Sequence, residues 1–405
     1  MADLNLLSNL SRQTDSKIVL LVLDGLGGLP RETGGPTELE AAHTPNMDKL
    51  AKEGMLGLIH PVGRGIAPGS GPGHLGLFGY EPQKYLIGRG VLESVGIGLE
   101  LTQYDVAARG NFCSVDKEGK ITDRRAGRIS TDECARMVGL VEDITLPDVE
   151  LIVKPVRDYR FALILRGSGL SDQLNETDPQ KTGVVPPNVE PQDGSIDAHH
   201  TAELVNKWIN LVRDRIKDES PANMVLLRGW SREPGLPNFQ HIFKLKAAAL
   251  AVYPMYKGLA RLAGMDIVNG LQNVDDQLSA IKSHWNDYDF FFFHYKYTDS
   301  KGEDGNFDGK AAEIEKVDAL LPNILELHPN VLVITGDHST PAVWKAHSWH
   351  PVPILFWAPG TSRSNWDVTS FGETECLRGA LGQFLATDLM ALITAHAGKQ
   401  KKYGA

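Results

Sequence analysis

The chain has 405 residues, a formal net charge of −10 and 42% hydrophobic residues. This length exceeds what one typical hydrophobic core serves, so we expect two domains. The chain is acidic overall and contains no run of basic residues that could follow a phosphate backbone. This charge balance argues against nucleic acid as the main partner.

The cysteines and the N-terminal stretch indicate the compartment. Cys113, Cys134 and Cys376 are odd in number, widely spaced and form no CxxC motif, which argues against a disulfide framework and against a thiolate zinc site. The N-terminal stretch lacks the basic start and continuous apolar core of a signal peptide, and Asp24 interrupts the longest apolar run. We therefore expect a soluble, cytoplasmic protein with no membrane partner.

Three apolar segments each lead into acidic residues. The segments and their polar residues are IVLLVLDG with Asp24, FFFFHYKYTD with Asp299, and VLVITGDH with Asp337 and His338. Buried parallel strands present functional groups at their carboxyl ends, so these side chains are predicted to share one site. Because acids gathered in one place repel each other, the pattern also predicts bound cations.

Helix and loop signals lie between the first two of these segments. A short helix is predicted over residues 44–54, which have Thr and Pro at the start and Gly at the end. A strand is predicted over residues 55–62. The loop GRGIAPGSGPGH that follows is dense in small residues and contains Ser70. Such a loop lets backbone amides approach an anion, particularly where it leads into a helix.

The middle of the chain differs in character from both ends. Its predicted elements are strands at 160–166 and 223–228, a Pro/Gly-rich stretch at 167–197 and an amphipathic helix at 198–218. We predict an inserted α/β domain over residues 102–240. Residues 1–101 and 241–405, which include a predicted helix at 311–327 and a strand at 353–357, then form one discontinuous α/β domain.

The polar residues suggest metal-assisted chemistry. The candidate ligands are Asp24, Asp299, Glu303, Asp337, His338 and His347, with Ser70 in the glycine-rich loop. Oxygen-rich sets with one or two imidazoles suit Mg²⁺, Mn²⁺ or Zn²⁺, and this many ligands is enough for two ions. Two such ions stabilise the attacking and leaving oxygens of phosphoryl transfer. A serine is a weak nucleophile at neutral pH, and metal coordination would activate Ser70.

Several longer motifs indicate a family. In chain order they are LDGLG, TPNMDKLA, GSGPGHLGLFGY, GRGVLESVGIGLEL, ITDRRAGRIS, TDSKGEDGN, GDHSTP, HSWHPVPIL and the tail LGQFLATDLMALI. With these motifs the chain resembles the cofactor-independent phosphoglycerate mutases, in the shorter archaeal-type branch of the alkaline phosphatase superfamily. The resemblance implies an alkaline-phosphatase-like, mostly parallel sheet sandwiched by helices. It also implies interconversion of 3-phosphoglycerate and 2-phosphoglycerate through a phosphoserine on Ser70, with two divalent metal ions and without 2,3-bisphosphoglycerate.

The resemblance also implies a role for each candidate residue. One metal would be bound by Asp24, Ser70, Asp337 and His338, and the other by Asp299, Glu303 and His347. The residues that would contact substrate are His74 beside Ser70, Lys257 near the transferring phosphate, and Arg124, Arg125 and Arg128 on the carboxylate and hydroxyls of glycerate. Guanidinium groups bind planar carboxylates in bidentate fashion, which is a physical reason for such an arginine cluster.

Glu303 stands where the family usually has a histidine. Glutamate is a competent ligand for hard metals, and its added negative charge favours Mn²⁺ or Mg²⁺ over Zn²⁺. We therefore expect Mn²⁺, with Mg²⁺ and Zn²⁺ as alternatives.

Each residue also has a purely structural interpretation. A strand-end aspartate often caps a turn, Ser70 could be a turn serine, the arginines could form a solvated face, and Lys257 could extend to solvent. The joint pattern favours metal and phosphate chemistry.

The closest alternative function is a metal-dependent phosphomonoesterase or another small-metabolite phosphotransferase on the same scaffold. The alternative from another class is a catalytically silent protein that binds metal or phosphate. The general base, the role of residues 167–197 and assembly into a homo-oligomer are left open.

Overall fold

A computed structural model of the chain describes residues 3–363 and 367–404. The strands are β1 (Ile18–Leu23), β2 (Met55–His60), β3 (Asp105–Val115), β4 (Ile121–Asp123), β5 (Glu150–Arg157), β6 (Arg160–Arg166), β7 (Met224–Ser231), β8 (Ala247–Leu250), β9 (Asp266–Ile267), β10 (Phe290–Tyr295), β11 (Val331–Thr335), β12 (Val352–Trp357) and β13 (Gly382–Leu385).

The α-helices are α1 (Leu4–Leu10), α2 (Glu38–Ala41), α3 (Pro45–Glu53), α4 (Ser70–Leu77), α5 (Arg89–Gly96), α6 (Thr131–Gly139), α7 (Ile196–Ile216), α8 (Phe239–Phe243), α9 (Pro254–Leu262), α10 (Val274–Ser283), α11 (Tyr297–Glu303), α12 (Phe307–Asp318), α13 (Leu321–Leu325), α14 (Glu373–Cys376) and α15 (Leu389–His396). Short 3₁₀ turns cover Ala126–Arg128 and Ala386–Asp388. None of the helices in the described part of the chain combines the length and apolar character that a membrane span requires.

The chain divides into two compact units. The outer unit comprises the described residues up to Leu86 and from Leu236, and the insert comprises Ile87–Gly235. The insert thus begins before the predicted residue 102 and ends before the predicted residue 240. Its earlier start has a clear cause, since α5 packs against β3 and β7 of the insert.

A mostly parallel sheet forms the centre of the outer unit. Within the described residues its strand order is β13-β2-β12-β11-β1-β10-β8-β9, and only β12 runs antiparallel to both of its neighbours. Every residue of β1, β10 and β11 is buried. Because successive side chains of a strand point to opposite faces, complete burial means that both faces of the sheet are covered. The predicted α/β class with a mostly parallel sheet is confirmed.

Antiparallel strands form the sheet of the insert. Strands β4, β3, β6 and β5 lie in that order, and β7 also pairs with β3. Three aromatic side chains mark its core, with Phe161 between Phe112 at 4.8 Å and Trp208 of α7 at 6.2 Å between ring centroids. The insert therefore has a hydrophobic core of its own.

Two sequence-based expectations of local structure were wrong in detail. The single helix predicted over 311–327 is two helices, α12 and α13, because Pro322 has no backbone N–H to continue a helix and stands instead in the first turn of α13. Asp299 does not end a strand, since β10 stops at Tyr295 and Asp299 lies in α11. The predicted helix at 44–54 is confirmed as α3, where Pro45 is the first helical residue.

Candidate active site

The carboxyl ends of three neighbouring strands bring the polar residues of the outer unit together. β1 lies between β10 and β11 and is parallel to both. Asp24 directly follows β1, Asp337 and His338 follow β11, and Asp299 is carried by α11 after β10. All four side chains are buried. The parallel register therefore converts three distant segments of sequence into one site.

The first candidate metal group consists of Asp24, Asp337 and His338, whose ligand atoms all lie within 4.8 Å of one another. His338 Nε2 is 3.2 Å from Asp24 Oδ1 and 3.3 Å from Asp337 Oδ2. Neither of these two carboxylate oxygens accepts a hydrogen bond from any described residue. Buried carboxylate oxygens without donors are costly, so this donor set fits a bound cation.

The second candidate group consists of Asp299, His338 and His347. His347 Nε2 lies 3.5 Å from Asp299 Oδ1, and its ring stacks on that of His338 with 3.7 Å between centroids. His347 Nδ1 is 2.9 Å from the Pro68 carbonyl oxygen. A carbonyl can only accept, so Nδ1 carries a hydrogen, and in the neutral imidazole the lone pair of Nε2 is available to a metal.

Glu303 was predicted to complete this second group. Its Oε1 lies 3.8 Å from His347 Nε2, and 57% of its side chain is exposed. The glutamate thus stands at the rim, whereas His338 belongs to both groups.

Ser70 is the first residue of α4, directly after the glycine-rich loop. Its hydroxyl Oγ lies 3.1 Å from His338 Nε2. The helix packs closely on the Asp337 segment, as the space at Gly73 shows. A Cβ added there would lie 2.1 Å from the Asp337 carbonyl oxygen. Glycine at that position therefore lets α4 present Ser70 to the first candidate group.

His74 follows Ser70 by one turn of α4 and is completely buried. Its Nδ1 is 2.8 Å from the Ser70 carbonyl oxygen and 3.1 Å from Asp337 Oδ2. Burial by itself lowers the pKa of His74, but Asp337 outweighs it and raises that pKa. The imidazole thus lies between the nucleophile helix and the Asp337 carboxylate.

The electrostatic balance of the site keeps Asp24 and Asp299 ionised. Burial alone would raise the pKa of Asp24, but Lys296, His294 and His338 together lower it well below its usual value. The pKa of Asp299 is lowered in the same way, with burial opposed by His347 and Lys296. Ionised carboxylates are the form that binds metal.

Lys296 and Tyr256 were not identified from the sequence as site residues. Lys296 Nζ is 3.1 Å from Asp24 Oδ2 and 2.5 Å from Asp299 Oδ2. The Tyr256 hydroxyl donates to Asp24 Oδ2, and its ring stacks on His294 at 3.6 Å. Lys296 lies three residues before Asp299, so its position in FFFFHYKYTD could have identified it as a site residue. Tyr256 is far from every ligand in sequence and carried no such signal.

Lys257 neighbours Tyr256 on α9 but has different surroundings. Burial lowers the pKa of Lys257, and nearby Arg261 lowers it further. Within residues 3–363 and 367–404, Lys257 forms no ion pair, whereas Lys296 joins two carboxylates of the site. A role for Lys257 at the transferring phosphate stays a prediction.

The predicted arginines of the insert differ in their surroundings. Arg124 binds the buried carboxylate of Asp178 in bidentate fashion, with distances of 2.8 and 2.7 Å. Arg125 and Arg128 are exposed. The Asp123 carboxylate accepts the backbone N–H groups of Arg125 and Gly127, which holds this turn in place. Ala126, Gly127 and Arg128 all have positive φ angles, at 44°, 64° and 55°.

A second arginine cluster in the insert was not found from the sequence. Arg109 Nη1 lies 3.3 Å from Glu93 Oε1, and both side chains are largely buried. Burial lowers the pKa of Arg109, and the positive charges of Arg89, Arg228 and Arg160 lower it further. These residues come from α5, β3, β6 and β7. Their spread along the chain explains why no local motif indicated the cluster.

Comparison with known proteins decides the family. The family model of 2,3-bisphosphoglycerate-independent phosphoglycerate mutase matches residues 51–223. A relative from Thermus thermophilus, described as a probable 2,3-bisphosphoglycerate-independent phosphoglycerate mutase, is 52% identical to this chain and the match covers 98% of both chains. The chain belongs to the 2,3-bisphosphoglycerate-independent phosphoglycerate mutases.

Solved structures agree with membership of this family. A cofactor-independent phosphoglycerate mutase from Thermoplasma acidophilum is 30% identical, with a TM-score of 0.70 over 95% of this chain and 100% of that chain. A protein from Pyrococcus horikoshii is 31% identical, with a TM-score of 0.82 over 96% of this chain and 99% of that chain. The family indicated by the sequence motifs is confirmed.

Proposed function

We propose that this protein interconverts 3-phosphoglycerate and 2-phosphoglycerate through a phosphoserine on Ser70, without 2,3-bisphosphoglycerate. The family supports a phosphoglycerate mutase. The single observation that carries the chemistry is the position of Ser70 Oγ, 3.1 Å from His338 Nε2 and beside a group of buried carboxylates. A hydroxyl in such surroundings has the geometry of an activated nucleophile.

Two divalent cations are part of the proposal. Asp24, Asp337 and His338 would hold one, and Asp299, His347 and the shared His338 would hold the other, with Glu303 at the rim. The undonated oxygens of Asp24 and Asp337 support this assignment. Bound cations would lower the pKa of the serine hydroxyl and stabilise charge on phosphoryl oxygens. The donors are mostly oxygen, which favours Mn²⁺, with Mg²⁺ and Zn²⁺ as alternatives.

The bonds and protons balance over two transfers. Ser70 Oγ attacks the phosphorus of 3-phosphoglycerate, the ester P–O bond breaks, and the proton lost by Ser70 is matched by one gained at the 3-hydroxyl of glycerate. The 2-hydroxyl of the same glycerate then attacks phosphoserine and loses its proton, the P–Oγ bond breaks, and Ser70 regains a proton. Water would compete in this second step and release phosphate. Retention of glycerate therefore separates a mutase from a phosphomonoesterase.

The glycerate part of the substrate would be bound by arginines of the insert. Arg125 and Arg128 are the stronger candidates of the predicted set, because Arg124 is already occupied by Asp178. Positive φ angles at non-glycine residues are costly and tend to persist where function requires them. The turn that carries Arg128 contains two such residues, which supports a binding role for its guanidinium.

The decisive experiment follows both products at once. The protein is purified, loaded with Mn²⁺ and incubated with 3-phosphoglycerate in the absence of bisphosphoglycerate. Accumulation of 2-phosphoglycerate without inorganic phosphate is the expected result. Release of phosphate alone would replace the proposed function with a phosphomonoesterase that uses the same serine. Absence of both products would contradict phosphoglycerate as the substrate.

A further inference from the structure

Thr340 connects the two candidate metal groups. It is completely buried and lies two residues after His338 in the motif GDHSTP. Its hydroxyl Oγ1 is 2.7 Å from Asp299 Oδ1 and 2.9 Å from His338 Nδ1. One hydroxyl therefore contacts the carboxylate that follows β10 and the imidazole that follows β11.

The direction of these two hydrogen bonds follows from the chemistry of the partners. An ionised carboxylate can only accept, so the Thr340 hydroxyl donates its hydrogen to Asp299 Oδ1. The lone pair that remains on the hydroxyl oxygen accepts from His338, which places the imidazole hydrogen on Nδ1. In the neutral imidazole, His338 Nε2 is then left with its lone pair.

That lone pair faces the first candidate group. His338 Nε2 lies 3.1 Å from Ser70 Oγ, 3.2 Å from Asp24 Oδ1 and 3.3 Å from Asp337 Oδ2. A metal ligand must present an unprotonated nitrogen. The tautomer that Thr340 selects is the one that can bind a cation at this position.

The surrounding backbone holds Thr340 in place. Lys310 is completely buried, and its Nζ donates to the carbonyl oxygens of Thr340 and Gly27 at 2.9 Å each. A Cβ added at Gly302 would lie 2.2 Å from the Thr340 carbonyl oxygen, and a Cβ added at Gly25 would lie 2.5 Å from Thr340 Oγ1. These close approaches pack two glycine backbones against Thr340. A β-branched side chain also has few χ1 rotamers, which limits the positions open to the hydroxyl.

We propose that Thr340 is a positioning residue that selects the His338 tautomer and couples the two metal groups through its hydroxyl. This inference rests on the metal site of the proposed function. Groups that orient a metal-binding histidine by a hydrogen bond to its other ring nitrogen typically contribute about 10- to 100-fold in metal affinity. Loss of the Thr340 hydroxyl should therefore weaken metal binding although Thr340 is not itself a ligand.

Two substitutions at Thr340 distinguish the effect of the hydroxyl from the effect of the side-chain shape. Thr340→Val keeps the branched shape and removes the hydroxyl, and Thr340→Ser keeps the hydroxyl and removes a methyl group. Thr394→Val is the matched control, because the Thr394 hydroxyl is equally buried but donates to the Met390 carbonyl oxygen within α15. Calorimetric titration with Mn²⁺ should give an affinity about 10- to 100-fold weaker for Thr340→Val, with Thr340→Ser and Thr394→Val close to the unsubstituted protein.

A spectroscopic measurement tests the tautomer without any metal. In metal-free protein with ¹⁵N-labelled histidine, the signals of the neutral His338 imidazole, assigned by their loss in His338→Gln, should show hydrogen on Nδ1 only. Thr340→Val should give a mixture of tautomers, and Thr340→Ser should restore the single form. An unchanged tautomer in Thr340→Val, or unchanged Mn²⁺ affinity, would overturn the proposal, as would equal losses in the valine and serine variants.

The two measurements also separate this inference from the proposed function. If the unsubstituted protein bound no Mn²⁺, the metal part of the proposed function would fail. The metal-free spectra would still decide whether Thr340 orients His338.

Discussion

The ammonium group of Lys296 lies 2.5 Å from Asp299 Oδ2. The same group is 3.1 Å from Asp24 Oδ2. Lys296 is therefore a built-in counter-ion for one carboxylate of each candidate metal group.

The first prediction concerns stability without metal. Lys296→Met leaves two buried carboxylates without their cation, and removal of one partner from a buried pair costs about 3 to 5 kcal/mol. Because 25% of the Lys296 side chain is exposed, we expect the lower end, about 3 kcal/mol in the free energy of unfolding of metal-free protein. Urea titration measures it, and Lys257→Met is the matched control.

Added Mn²⁺ should reduce this difference, because the ion supplies the positive charge that Lys296→Met removes. A difference in the free energy of unfolding that stays constant from metal-free to Mn²⁺-saturated protein would contradict the counter-ion role of Lys296.

The second prediction concerns pH and the binding of metal. Burial lowers the pKa of His347, but its hydrogen bond to Asp299 outweighs burial and raises that pKa to about 9. Protonated His347 cannot bind metal, so Mn²⁺ affinity should rise by roughly tenfold or more between pH 7 and pH 9, with release of a proton on binding. Calorimetry at both pH values, in buffers of different ionisation enthalpy, measures both effects. A similar pH dependence in His347→Gln would show that another group is responsible.

The raised pKa of His347 also affects the stability of metal-free protein, which should fall with rising pH while the affinity for metal increases. A histidine whose folded pKa is raised stabilises the folded state fully below its unfolded value of about 6.5, and this contribution is lost as pH rises through about 9. Metal-free protein should therefore lose stability between pH 6.5 and 9, while its capacity to bind Mn²⁺ increases.

The third prediction tests the nucleophile. Ser70→Ala removes the oxygen that would carry the phosphoryl group, so turnover of 3-phosphoglycerate should fall by roughly 10³-fold or more. Ser283→Ala is the matched control, since that hydroxyl donates to the Ser279 carbonyl oxygen at the end of α10. Substantial turnover by Ser70→Ala would contradict the phosphoserine intermediate.

The fourth prediction separates binding from structure among the insert arginines. Arg128→Ala should raise KM for 3-phosphoglycerate by roughly tenfold or more, because charge-assisted hydrogen bonds contribute about 1.5 to 3 kcal/mol, and it should leave stability unchanged. Arg124→Ala should instead lower the stability of the insert by about 3 kcal/mol, since it removes the bidentate partner of the buried Asp178 carboxylate and leaves it with Arg228 Nη1 at 4.0 Å.

Steady-state kinetics and thermal melting measure these two effects. If Arg109→Lys raised KM while Arg128→Ala did not, the buried cluster around Glu93 would replace the exposed turn as the substrate-binding arginines.

The fifth prediction concerns Glu303. At 3.8 Å from His347 Nε2 and largely exposed, it should contribute modestly, so Glu303→Gln is expected to weaken Mn²⁺ binding by no more than about tenfold. Glu303→His should shift the preference from Mn²⁺ towards Zn²⁺, because imidazole is the softer ligand. Metal analysis after dialysis checks both variants, and unchanged metal content in Glu303→Gln would contradict its role as a ligand.

Much of the fold and part of the candidate site were accessible from the sequence because the patterns are local. Runs such as IVLLVL and VLVIT are apolar throughout, which is the property of strands buried on both faces. Asp24 and His338 follow those runs within a few residues, and Ser70 follows a glycine-rich loop that leads into α4. Local patterns were also misleading twice. Pro322 divides a helix that had been predicted as continuous, and Asp299 lies in α11 and not at the end of a strand.

By itself the sequence determined the family, the α/β class and the residue types that can bind a cation, because each depends on short motifs or on continuous runs of apolar residues. Only the tertiary structure decided which of these residues meet. The register of β1 with β10 and β11 makes His338 common to two candidate metal groups and leaves Glu303 at the rim. Helix α9, which follows β8, brings Tyr256 to Asp24, and Lys296 and Thr340 also contact the carboxylates. These contacts join residues far apart in the chain, and they depend on backbone register and close packing that no local pattern encodes.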